Sequence, residues 1–152
     1  MTPQTAFPSG LIDGALHHFA VRAYFEDTDL SGVVYDANYL RWFERARSDF
    51  VRLLGIDQRA VNEAGTGAFA VADLSIRYAA PARLDDGIRI ETLCTELGAA
   101  SCRMHQKAIR EDGLLLAEAT FRVGFVSPEG KPRRMPDGWR AAFAPIVSEG
   151  MK

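Results

Sequence analysis

The run Asn38-Tyr-Leu-Arg-Trp-Phe-Glu-Arg-Ala-Arg-Ser-Asp-Phe-Val-Arg-Leu-Leu54 decides the fold class. Tyr39, Phe43, Ala46, Phe50 and Leu53 repeat at steps of 4, 3, 4 and 3, one face of an α-helix. Leu40, Trp42 and Leu54 widen that face, while Arg41, Glu44, Arg45, Arg47, Asp49 and Arg52 are the polar positions. Asp36 or Asn38 is expected to cap the start and Gly55 the end. So wide and aromatic a face expects burial on more than one side.

Outward from this helix the period changes. Before it, residues 18–25 are β-prone and read as a strand, and residues 26–37 as a polar loop. After it, Ala70, Ala72, Leu74, Ile76 and Tyr78 alternate along a strand that Pro81 breaks. Turn signals at Asp86-Gly87, Gly98 and Glu111-Asp112-Gly113 separate strands near 88–97, 101–110 and 114–127. A short helix is expected near 137–143. Short turns between consecutive strands imply an antiparallel sheet, against which the helix must lie. The class is therefore α+β, with about five strands. Residues 1–17 read as a flexible lead-in, 18–144 as one domain and 145–152 as a tail.

The chain has 152 residues, 47% of them hydrophobic and 25% charged, which is one globular domain's balance. Eighteen basic against twenty acidic residues leave a net charge of −2, which argues against a nucleic-acid partner. No apolar run approaches the ~18 residues of a membrane span. Met1 to Gly14 carries no Lys or Arg, so no secretory signal is expected. Cys94 and Cys102 fit no zinc or redox pattern and read as free buried thiols of a cytoplasmic protein.

Most candidate motifs fail on context. Gly65-Thr-Gly67 imitates a dinucleotide fingerprint but opens a strand instead of a helix. His17, His18 and His105 lack metal-ligand spacing and read as surface or strand residues; no metal is expected. Lys131, Arg133 and Arg134 form a short basic cluster suited to phosphate. The dense stretch is Glu26-Asp-Thr-Asp29-Leu-Ser-Gly32-Val33-Val-Tyr-Asp36. Close carboxylates are expected to raise one another's pKa. Free N–H groups at the following helix start favour a negative oxygen. A carboxylate beside such a site suits acyl transfer. A strand followed by Asp-x-Asp also suits a magnesium-dependent phosphatase, but that reading needs alternating strands and helices downstream.

The stretch Tyr24-Phe-Glu-Asp-Thr-Asp-Leu-Ser-Gly-Val-Val-Tyr-Asp-Ala-Asn-Tyr-Leu-Arg-Trp-Phe-Glu-Arg-Ala-Arg47 closely resembles the hotdog-fold thioesterases, in particular the 4-hydroxybenzoyl-CoA thioesterase family and its Tol-Pal-associated branch. Tyr78-Ala-Ala-Pro-Ala-Arg-Leu-Asp-Asp86 is a second match, and the likeness covers about residues 18–136. The resemblance implies a long helix wrapped by an antiparallel sheet, and hydrolysis of acyl-CoA to free acid and CoA. It places the essential carboxylate, nucleophile or general base, at Asp29, and the backbone oxyanion donor at Asp36. It further implies a homodimer or homotetramer joined at sheet edges, with sites between subunits and no metal or cofactor beyond the CoA of the substrate. Gly32 and Val33 fall near the thioester, Tyr39 and Trp42 are candidate walls of the acyl pocket, and Lys131, Arg133 and Arg134 are candidate phosphate contacts. Glu44 is expected to pair with Arg41, Arg47 or Ser48 along the helix.

Three places depart from the family's patterns, two from the Tol-Pal branch and one from the hydroxybenzoyl-CoA member. Asp36 stands where the Tol-Pal members have His, Phe25 where they have Tyr, and Gly98-Ala99-Ala100 where the hydroxybenzoyl-CoA member is basic. These departures keep two rivals in view. One is an acyl-carrier-protein thioesterase. The other is a non-catalytic acyl-thioester binding module.

Overall fold

The computed structural model describes residues 2–148. Met1 of the expected lead-in and residues 149–152 of the expected tail lie outside the described residues. Six antiparallel strands form one sheet: β1 (Leu11–Asp13), β2 (Leu16–Arg22), β3 (Ala68–Tyr78), β4 (Gly87–Leu97), β5 (Ser101–Arg110) and β6 (Leu115–Val126). Their order across the sheet is β1-β2-β4-β5-β6-β3. The helices are α1 (Asn38–Leu53), α2 (Gln58–Glu63) and α3 (Trp139–Phe143), with 3₁₀ turns at Phe25–Asp27 and Ala144–Ile146.

α1 lies across β2, β4 and β5. Its apolar repeat is the reason: Phe43, Ala46 and Phe50 have no solvent exposure. Phe43 meets Phe121 of β6 edge-on at 5.7 Å. Replacing a fully buried Phe of this kind by Ala costs about 3–5 kcal/mol. At the C-terminus Gly55 takes φ +86°. Its N–H reaches the Arg52 carbonyl while that of Ile56 reaches Val51, a left-handed helix stop. α3 closes the far end of the core. Trp139 packs 5.2 Å from Phe69 and 5.4 Å from Phe125, tying the start of β3 to the end of β6.

Strand alternation divides inside from outside. On β5, Cys102, Met104, Gln106 and Ala108 face the helix and are buried. Arg103, His105 and Lys107 face the other way. That outer face is laced with ion pairs, such as Arg122–Asp73 at 2.8 Å and Arg103–Glu96 at 3.3 Å.

Several expectations need correction. The sheet has six strands, because a two-residue turn at Gly14-Ala15 pairs Leu11–Asp13 with residues 16–18. The last part of the expected lead-in over 1–17, from Leu11 onward, is therefore a hairpin of the sheet. β2 also stops at Arg22, and Phe25 opens a 3₁₀ turn instead of ending the strand. The expected tail begins inside the fold: Val147 bridges Cys94, and the Ser148 N–H meets the Cys94 carbonyl at 2.8 Å. Neither Asp36 nor Asn38 caps α1 with its side chain; the N-cap is Ala37. α2 escaped the sequence reading because six residues are too few to show a period. Cys94 and Cys102 are free and buried, as expected.

Candidate active site

The loop between β2 and α1 carries the dense acidic stretch. Its first three acids, Glu26, Asp27 and Asp29, do different work. Asp27 is structural: Oδ2 accepts the Tyr24 N–H at 2.8 Å and Oδ1 accepts the Asn38 side-chain amide at 3.0 Å. That second bond turns Asn38 away from capping and fixes the helix start to the loop. Glu26 carries no side-chain bond among the described residues.

Asp29 sits at the head of a tight turn. Its carbonyl accepts the Gly32 N–H at 3.1 Å, and its N–H meets the Val33 carbonyl at 2.9 Å. Gly32 adopts φ +82°, a conformation that a side chain disfavours. One carboxylate oxygen, Oδ1, accepts both the Ser31 N–H at 2.8 Å and the Ser31 hydroxyl at 2.5 Å. These two bonds hold the carboxyl below its ordinary range. The expected rise from crowded acids is thus reversed, because Asp27 is turned away and Ser31 stabilises the charge. The other oxygen, Oδ2, has no hydrogen bond among the described residues.

β-Bridges anchor this turn. Thr28 pairs with Val34, and Val33 pairs with Arg83 of the β3–β4 connection. The Val34 N–H meets the Ala82 carbonyl at 2.8 Å. Tyr39 completes the support: its hydroxyl, 2% exposed with its residue, accepts the Ala82 N–H at 3.0 Å. The chain then turns into α1 through Asp36. The Asp36 carbonyl accepts the Tyr78 hydroxyl at 2.8 Å, so the end of β3 pins the helix start. The Asp36 N–H has no acceptor among the described residues. A carboxylate with a free oxygen and an unspent N–H at a helix start therefore occupy one loop.

Other predicted residues lie elsewhere. Tyr39 and Trp42 are core residues, the latter 1% exposed, and pack edge-on at 5.3 Å. They support the loop and do not open to a pocket wall in the single chain. Lys131, Arg133 and Arg134 follow β6. The Arg133 guanidinium reaches the Thr66 carbonyl at 2.5 Å, before the start of β3. Asp36 lies at the end of β3, ~33 Å away along the eleven-residue strand. One chain does not bring the two together. Glu44 forms no ion pair with Arg41 or Arg47 among the described residues. Tyr78 was not singled out from the sequence as a site residue. Its place in the second matching motif was the signal.

The His17–Asp49 pair was also missed. His17 is a fully buried strand residue, not a surface one, and its Nε2 lies 2.7 Å from Asp49 Oδ2. Burial pushes the imidazole down, and Asp49 only partly offsets that. Asp49 further accepts the Gly10 N–H at 2.9 Å and Arg52 at 2.7 Å.

A family profile described as Thioesterase-like superfamily matches residues 24–143. The chain belongs to this superfamily. The match takes in the Asp29 loop, α1 and the sheet from β3 to β6. Among thioesterase relatives, the chain is 41% identical over 126 residues to the acyl-CoA thioesterase YbgC of Haemophilus influenzae, covering 82% of this chain and 92% of that one. Among solved structures, a probable thioesterase from Bartonella henselae is 36% identical, with TM-score 0.74 over 80% of this chain and 99% of that one. A 4-hydroxybenzoyl CoA thioesterase mutant complexed with its substrate shares the fold alone, with TM-score 0.76 at 21% identity over 86% of this chain and 99% of that one. The α+β arrangement of this superfamily member is the hotdog fold.

Proposed function

We propose that this protein hydrolyses acyl-CoA thioesters to free acid and CoA, with Asp29 as the reacting carboxylate and the Asp36 N–H as oxyanion donor. The observation that carries this reading is the pairing of a half-free carboxylate with an unspent helix-start N–H in one loop. The kinship with acyl-CoA thioesterases supports the substrate class. A thioester carbonyl is already electrophilic. One N–H with helix-dipole support then suffices to hold the developing negative oxygen. Oδ2 has no hydrogen bond among the described residues and is available for direct attack on the carbonyl carbon. The bond from Oδ2 to the carbonyl carbon forms, CoA leaves as thiolate, and water then opens the acyl–aspartyl anhydride.

The working unit is a dimer. β3 leaves its outer edge unpaired along eleven residues, with Val71, Leu74 and Tyr78 each over two-fifths exposed on its inner face. Long open apolar edges invite pairing with a second copy. Antiparallel self-pairing about the middle of β3 would carry the Lys131, Arg133 and Arg134 end of one chain to the Asp29 end of its partner. There the basic cluster would meet the CoA phosphates. The reaction needs no metal and no cofactor. The cytoplasm fits the two free buried thiols.

Thiol release from a panel of acyl-CoAs, with and without EDTA, tests this reading. The expected result is chelator-insensitive release from a species of dimer mass or larger. Absence of release from every acyl-CoA by folded protein would contradict it and favour carrier-protein substrates or a binding role.

A further inference from the structure

Arg47 is a buried cation that forms no ion pair with a carboxylate among the described residues, Glu44 acting on it only at longer range. It lies on the inner side of α1 with 9% of its surface exposed. Its guanidinium sits 4.2 Å over the Phe121 ring. Nη1 donates to Gln106 Oε1 at 2.9 Å. Gln106 is itself locked, because its amide nitrogen donates to the Phe43 carbonyl at 3.0 Å and to Thr92 Oγ1 at 2.9 Å. The other guanidinium nitrogens have no acceptor among the described residues. They are not sealed in either: among the described residues, His17 Nδ1 is the one fully buried side-chain polar atom left without a partner. A buried charge with unfilled donors costs free energy unless something else meets it.

Those donors have somewhere to face. Arg47 lines a cavity of about 120 Å³ between α1 and the first half of β3. Val51, Phe69, Met104 and Val123 supply apolar walls, and Glu44 is the one acid that lines it. A dry apolar cavity of ~150 Å³ holds a benzene ring, so this one takes a short acyl group. Arg47 is eleven residues beyond Asp36, ~16 Å along α1, too far for a short acyl group to span within one chain. The antiparallel pairing of β3 proposed above sets the cavity of one subunit toward the Asp29 loop of the other.

We infer that this cavity receives the acyl group and that Arg47 selects acyl groups whose far end is an oxygen acceptor, foremost a carboxylate. This rests on the acyl-CoA hydrolase reading. An apolar chain lies along the walls, and its terminal oxygen fills the donors that the protein leaves open. Charge-assisted bonds of this kind are strong and, with a guanidinium, often bidentate.

The test compares glutaryl-CoA with valeryl-CoA, which share a five-carbon acyl chain and differ in the distal carboxylate. For the wild-type dimer kcat/KM is expected to favour glutaryl-CoA by about tenfold or more, the scale of one charge-assisted bond. Arg47→Met should abolish that preference, through a loss on glutaryl-CoA at least about tenfold greater than the loss on valeryl-CoA. Arg47→Lys, which keeps the charge and loses the fork, should retain part of it and serves should the Met variant not fold. Equal or lower turnover of glutaryl-CoA by wild type would overturn the inference while leaving the hydrolase reading intact. So would an equal loss on both substrates in both variants. Failure to hydrolyse either ester, or any longer one, would overturn both.

Discussion

Two aspartates twenty residues apart, Asp29 and Asp49, both hold their carboxyls below the ordinary value, and they do so in opposite settings. Asp49 is 6% exposed. Burial pushes it up, and the bonds from His17, Gly10 and Arg52 overcome that push. Both of its oxygens are spent. Asp29 lies on an exposed turn, where Ser31 occupies one oxygen and the other has no hydrogen bond among the described residues. A buried His–Asp pair looks more like catalytic machinery than an exposed aspartate does. Here the buried pair joins the N-terminal strands to α1, and the exposed carboxylate has the capacity to react. Satisfaction of the acceptors distinguishes the two roles better than burial or a shifted pKa.

That contrast is open to direct attack. The largest stability effect is expected at the buried acid. Asp49→Ala leaves the buried His17 ring and the Gly10 N–H without their acceptor and should cost about 2–3 kcal/mol in urea denaturation. Asp29→Asn should leave the urea midpoint in place, and a loss there comparable to that of Asp49→Ala would erase the distinction.

Acid should separate the sites next. His17 is lowered from 6.5 in the folded state, so the unfolded chain binds its proton first. Its contribution is present above about 6.5 and is lost as pH falls below that value. Asp49 is lowered from 3.8 and adds its own loss at more acid pH. Denaturant midpoints should therefore drop between pH 7 and 5, and His17→Gln should flatten that drop. Over the same range kcat/KM should stay level in protein kept folded, because Asp29 remains ionised well below pH 5.

Smaller effects should trace the loop geometry. Gly32→Ala forces a side chain into φ +82° and should cost about 1–2 kcal/mol, with lower turnover from a distorted turn. Tyr78→Phe removes the bond to the Asp36 carbonyl. It should cost about 1 kcal/mol or less and lower kcat several-fold more than it raises KM. An unchanged kcat would detach Tyr78 from the oxyanion donor.

Much of this was legible in the sequence, and the gaps have physical reasons. The 4-3-4-3 spacing of Tyr39 to Leu53 marks a helix with one buried face, and α1 ends where Gly55 permits a left-handed stop. The strands from β3 to β6 announce themselves by alternation between turn residues. β1 did not, because three residues show no period and only the Asp13-Gly14 turn betrays it. At the site, Asp29, Gly32 and Asp36 share one contiguous loop, so their proximity is written in the chain. The reversal of the Asp29 shift was not legible, since it depends on which way Asp27 turns. Trp42 and Tyr39 misled for a similar reason: an aromatic residue near a site reads alike whether it lines a pocket or supports it. The partnerships of Asp49 with His17, and of Arg47 with Gln106, span 32 and 59 residues and become visible only once the sheet is assembled.

The central claim is that the Asp29 carboxylate performs thioester hydrolysis. Its most direct test is the rate of CoA release at pH 7 by wild type and Asp29→Asn, each shown to melt at the same temperature. A loss on the order of 10³-fold or more in kcat/KM is expected for the variant, which removes the nucleophile. Release within threefold of wild type from the intact variant would contradict the claim.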